Sequence, residues 1–129
     1  MDKSQYFYRI AVFSMQEDKV SLLDANHFSA KTPPLEPWLG LVVSLADGQH
    51  TLQQLIEHLA GQYGGTPPRE LERTIESVIE RLTETDVIKL ADQAVTLPYY
   101  LSLPAEKLDM EMAKRFMAND GYLQNNTKH

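Results

Sequence analysis

Four glutamates, Glu72, Glu76, Glu80 and Glu84, recur at every fourth residue, which lines their carboxylates along one side of a helix, as a divalent-metal stripe would require. Arg69, Arg73 and Arg81 stand three or four residues from them. The charges can therefore answer one another, and the run reads as a solvated acidic face. The four histidines, His27, His50, His58 and His129, have no metal-ligand spacing. Cysteine is absent, which removes disulfides, thiolate metal sites and a cysteine nucleophile together. No glycine-rich phosphate loop, nucleophile elbow or zincin helix motif occurs. The residue types point to a protein that is not an enzyme and that needs no metal or cofactor.

The elements that carry these residues are read from periodicity. Residues 35–90 hold three successive helical patterns closed by a short strand. In the first, Leu35, Trp38, Leu39, Val42, Val43 and Leu45 recur at helical spacing after Pro37, and Asp47-Gly48 supplies a left-handed glycine stop. Trp38 is read as an anchor between helix and sheet. Thr51 is a good N-cap for the second helix, whose apolar stripe is Leu52, Leu55, Ile56, Leu59 and Tyr63 and which stops at Gly64-Gly65. Thr66 caps the third, with a prolyl first turn and a buried face of Leu71, Ile75, Val78, Ile79 and Leu82. Val87 to Leu90 and Val95 to Leu97, separated by a turn, read as a hairpin wing.

Ahead of this core, Gln5 to Met15 alternates as one strand with both faces largely apolar, interrupted by Arg9. That pattern suits a doubly covered strand or an arm, Tyr6 to Phe13, that packs on a second copy. A turn at residues 16–19 leads to a return strand from Val20, and His27 to Ala30 reads as a short third strand before Thr32-Pro33-Pro34. After Pro98, a last helix opening at Pro104 carries Ala105, Leu108, Met112 and Phe116 on one face, suited to docking or dimerisation. The expectation is an α+β winged helix-turn-helix: a small N-terminal antiparallel sheet, a three-helix core and a β wing over residues 5–98. A C-terminal helical extension follows over 99–124, with a disordered tail over 125–129.

A chain of 129 residues with 43% apolar content can bury one core. No apolar run approaches the roughly 20 residues of a membrane span, and no secretory h-region is present, so a cytoplasmic protein is expected. The net charge of −6 repels polyanions. The third helix, the recognition element of a helix-turn-helix, itself holds five acids against three bases between Pro68 and Glu84. Duplex DNA is therefore the runner-up partner, a structural dimerisation module a third reading, and a peptide or protein the expected one.

The junction from Leu45 to Leu59, LADGQHTLQQLIEHL, followed by Tyr63, resembles the helix-one to helix-two junction of the PqqD-like family, the small peptide-binding proteins of pyrroloquinoline quinone biosynthesis and related recognition domains. Ile75, Val78, Ile79, Leu82 and Val87-Ile88 fall where that family has its third helix and closing strand. The resemblance implies a dedicated peptide binder. It would add the leader segment of a precursor peptide to a strand edge and present it to a modifying enzyme, often a radical SAM protein. Carried onto this chain, the edge is His27, Phe28, Ser29 and Ala30, and the flanking helix contributes Arg73, Glu76, Ser77 and Glu80. Phe28→Pro is then expected to abolish peptide binding. The Thr32-Pro33-Pro34 insertion and the extension beyond Pro98 depart from the family pattern.

Overall fold

The structure is a computed structural model and describes residues 2–23, 33–64 and 68–121. The expected strand at residues 27–30, the Thr66 cap and the tail at 125–129 lie outside these. Within them the chain is mixed α+β. Its elements run β1 (Tyr6–Arg9), β2 (Phe13–Gln16), β3 (Lys19–Leu22), α1 (Pro37–Leu45), β4 (Asp47–Thr51), α2 (Leu52–Gly61), α3 (Leu71–Glu84) and β5 (Ile88–Ala91). The short α4 (Tyr99–Ser102), a 3₁₀ turn (Ala105–Lys107) and α5 (Met110–Asn119) complete the chain.

The expected single strand over residues 5–15 is two strands belonging to different sheets. β1 is the central strand of an antiparallel sheet ordered β4-β1-β5, and β2 forms a hairpin with β3. Its turn places Glu17 and Asp18 at positive φ, the geometry that matches the strand twist in a two-residue loop. Two apolar faces were visible in the sequence because the segment serves two cores. Phe7 and Phe13 enter the main one, with α1, α2 and α3, whereas Val12 enters a second, built with Tyr100, Leu101, Leu108, Ala113 and Met117. Within the Tyr6 to Phe13 segment, Phe7, Arg9, Val12 and Phe13 are buried in the chain itself, and the other residues are half-buried.

The wing differs from expectation. β5 pairs with β1 in the register Phe7↔Leu90 and Tyr8↔Lys89, and residues 95–97 form no strand. The chain instead crosses to β4, where Val95 N–H donates to the Gly48 carbonyl at 2.8 Å.

Helix boundaries follow local chemistry. Thr51 caps α2 in a capping box, accepting from Gln54 N–H at 3.2 Å while the Gln54 side chain accepts from Thr51 N–H at 2.8 Å. The helix stops at Gly61, one turn earlier than expected, which leaves Tyr63 exposed rather than in the stripe. α1 ends at Leu45 without a glycine cap. Gly48, at φ +80°, lies inside β4, where the pairing with β1 is irregular between Tyr6 and Tyr8. Trp38 is half-buried against the main core. In the extension, Pro104 opens only the 3₁₀ turn, and α5 starts at Met110 with the Asp109 carboxylate accepting from Met112 N–H. This shifts the buried face to Ala113 and Met117. Met112 and Phe116, expected on the packed face, are exposed.

Candidate functional site

Strand addition needs backbone donors and acceptors without partners, so the strand edges define the candidate site. Parity fixes which groups face outward. Arg9 N–H bonds the Ala46 carbonyl on the β4 side, and Ile10 N–H bonds the Val87 carbonyl on the β5 side, so Val87, Lys89 and Ala91 face β1. Ile88 and Leu90 must then turn their N–H and C=O groups away from the sheet. Among the described residues these groups have no hydrogen-bond partner.

The other outer edges are at least partly occupied. On β4, Val95 bonds Gly48, and Gln49 Nε2 donates to the Val95 carbonyl at 2.8 Å. The approach is close: a Cβ on Gly48 would stand 2.3 Å from the Val95 oxygen. On β3, the Val20 carbonyl accepts from Leu35 N–H at 2.7 Å. On β2, Glu106 of the 3₁₀ turn covers the strand. It accepts from Met15 N–H at 3.1 Å, from Gln16 Nε2 at 3.1 Å and from the Ser14 hydroxyl. Partial desolvation pushes the Glu106 carboxyl up, but the bonds from Ser14, Met15 N–H, its own backbone and Gln16 together outweigh it and hold it below the usual carboxylate range.

Around β5, the two sheet faces are chemically distinct. Phe7, Arg9, Ile88 and Leu90 share the face toward the core, whereas Tyr6, Tyr8, Lys89 and Ala91 share the other. Ile88 is fully buried, Leu90 half-buried and Lys89 exposed. α3 feeds β5 through a tight turn in which Asp86 takes positive φ, so helix and edge are joined directly. Arg73, Glu76, Ser77 and Glu80 fall at i, i+3, i+4 and i+7 of α3, on the face opposite Leu71, Ile75, Val78, Ile79 and Leu82. Three of them are exposed and Glu76 is half-buried. The structure therefore brings together the four helix residues expected from sequence. The four strand residues paired with them, His27 to Ala30, lie outside the described residues.

Among the described residues Arg9 is the buried charged side chain, 2% exposed. Its Nε and Nη2 donate to the Leu101 carbonyl at 3.0 and 2.8 Å, and Nη1 donates to the Val43 and Ser44 carbonyls at 2.9 and 3.1 Å. The last two are C-terminal carbonyls of α1, which a cation satisfies both by hydrogen bonding and through the helix dipole. Burial lowers its pKa to about 10, opposed by the nearby Asp47. The guanidinium carbon lies 4.5 Å from the Phe13 ring centroid. In the sequence Arg9 reads as an interruption in an apolar strand. A lone arginine with apolar neighbours on both faces was the available signal.

A cleft of about 230 Å³ opens between α1, β4 and α2, with Phe7, Leu45 and Leu55 in its lining beside Ser44, Asp47, His50, Gln54 and His58. His50 Nδ1 lies 3.0 Å from Asp47 Oδ1, the geometry by which a carboxylate orients an imidazole. Ser44 does not complete a nucleophilic triad, because its hydroxyl donates to the Leu41 carbonyl at 2.7 Å. Among the described residues no cluster of His, Asp and Glu could hold a metal ion, and no helix is long and apolar enough to cross a membrane.

No protein-family model matches this chain, and no curated protein or solved structure matches it either.

Proposed function

We propose that this chain is a non-catalytic peptide-binding protein that takes an extended segment as an added strand and presents it to a modifying enzyme. The observation that carries the reading is the open edge of β5, whose Ile88 and Leu90 backbone groups have no partner among the described residues. Backbone bonds made there supply affinity, and the adjoining side chains supply selection. The resemblance of residues 45–59 to the PqqD-like junction supports a precursor leader peptide as the segment and a maturation enzyme, of radical SAM type, as its recipient. A winged-helix origin belongs to the same reading, supported by the order α1, α2, α3 and β5. Exposed Met112 and Phe116 on α5 offer the enzyme an adaptable contact face.

The test is selection of phage-displayed random nonamers on the immobilised protein, followed by an N-methyl scan of the best synthetic binder. Strand addition predicts that methylation weakens binding at every second peptide position, where the backbone N–H bonds β5. Equal tolerance at all positions would overturn the reading.

A further inference from the structure

A strand edge selects its occupant through the side chains beside it, and on β5 the exposed one is Lys89. Lys89 stands between Ile88 and Leu90, the two residues with outward backbone groups. Among the described residues it has no ion pair, although the chain carries a net charge of −6. Its cross-strand neighbour on β1 is Tyr8, half-buried on the same face.

In an antiparallel addition bonded through Ile88 and Leu90, the incoming residue opposite Lys89 is a non-hydrogen-bonded partner. Such pairs bring the Cα atoms to about 4.5 Å and their side chains into contact. A carboxylate at this position would complement the ammonium, whereas a lysine or arginine would be repelled. The same geometry disfavours a second copy. Two β5 strands paired about a two-fold axis through this position would set Lys89 against Lys89, a charge placement that guards exposed edges. The incoming residues on either side of the carboxylate project onto the other face, that of Ile88 and half-buried Leu90. Apolar side chains there would extend the cover over Leu90.

We infer that the β5 edge takes a partner peptide in extended form with a carboxylate opposite Lys89 and an apolar residue on each side of it. The inference rests on the strand-addition reading and specifies its ligand. It is tested with phage-displayed random nonamers panned in parallel on the wild-type protein and on Lys89→Glu, a change at an exposed position. The wild type is expected to enrich an apolar–acidic–apolar core, and Lys89→Glu to bind those peptides about fivefold more weakly. Saturating wild-type protein with the best synthetic nonamer is expected to slow amide exchange at Ile88 and Leu90 more than tenfold.

Peptides that protect Ile88 and Leu90 but show no acidic preference, or bind Lys89→Glu equally, would overturn the ligand assignment and leave strand addition standing. Protection at Met15 or Val20 instead would overturn the β5 location. No enrichment from the library would overturn both the inference and the reading beneath it. Dimerisation of the free protein with Ile88 and Leu90 protected would make a second copy the occupant and overturn the inference.

Discussion

Replacing Arg9 by methionine keeps a long apolar stem over Phe13 and removes the charge together with all four donated bonds. The buried Leu101 carbonyl loses both of its donors, at about 2 kcal/mol, whereas the Val43 carbonyl keeps its bond from Ala46 N–H at 3.2 Å. The Ser44 carbonyl is only partly buried and can turn to water. Loss of the cation over the Phe13 ring and of charge assistance adds about 2 kcal/mol, for a total loss of about 4 kcal/mol. Against this stands the relief of a desolvated charge. Holding the guanidinium with a pKa lowered by burial to about 10 costs on the order of 3 kcal/mol. That cost is in full force below about pH 10 and fades as the pH rises from there towards the ordinary arginine value, the interval in which the unfolded chain retains the extra proton. The net expectation is a destabilisation of about 1 kcal/mol at pH 7, or about 3 to 4 °C in Tm for a chain of this size. Urea unfolding followed by far-ultraviolet circular dichroism measures it. Limited proteolysis should also cut faster near Leu101, since the bonds to its carbonyl tie α4 to β1. A variant as stable as wild type, with unchanged proteolysis, would show that desolvation cancels the bonds and that Arg9 does not hold the extension in place.

Gly48→Ala should cost at least about 2 kcal/mol in thermal unfolding, since φ is +80° and the new Cβ would meet the Val95 carbonyl oxygen at 2.3 Å; a change below about 0.5 kcal/mol would refute that close approach. Thr51→Ala should cost about 1 kcal/mol by removing the capping box of α2, read from the urea midpoint. Glu106→Ala should lose about 0.5 to 1 kcal/mol at neutral pH, discounted for exposure, and speed amide exchange at Met15. Because the Glu106 carboxyl sits below its ordinary value when folded, its contribution is complete above the unfolded pKa and fades as the pH falls through the folded one. The gap between wild type and variant should therefore close in acid; a gap that persists at pH 2 would assign the effect to packing.

The helices were legible because their signals are local. Thr51 with Gln54, the prolyl start of α1 and the stripe Leu71, Ile75, Val78, Ile79 and Leu82 are all visible within a few residues. What escaped depends on partners distant in sequence. Alternation in residues 5–15 reports extended backbone but not which strand lies beside it, so the break between β1 and β2 and the insertion of β1 between β4 and β5 could not be read. The Asp47-Gly48 pair did announce a left-handed glycine. Its use, a close approach of Val95 to β4 rather than a helix stop, needed a residue 47 positions further on. On α3, Arg73, Glu76, Ser77 and Glu80 stand out through the family resemblance and share one helix face, but nothing local in the sequence identifies β5 as an edge, because residues 95–97 look like its partner.

Small sheets present as many exposed edges as large ones and have less mass to cover them. This chain covers β4 with a turn from beyond β5, β3 with the approach to α1, and β2 with a glutamate from the extension. Each cover draws on a different stretch of sequence, so the protection is distributed across the chain rather than produced by one packing event. β5 is treated differently. It is short and carries a lysine at its middle, a device that resists pairing with like-charged strands, and among the described residues nothing bonds its outward backbone groups. An edge guarded by charge rather than by covalent neighbours discriminates among partners, and that distinction makes β5 the place where recognition should be sought.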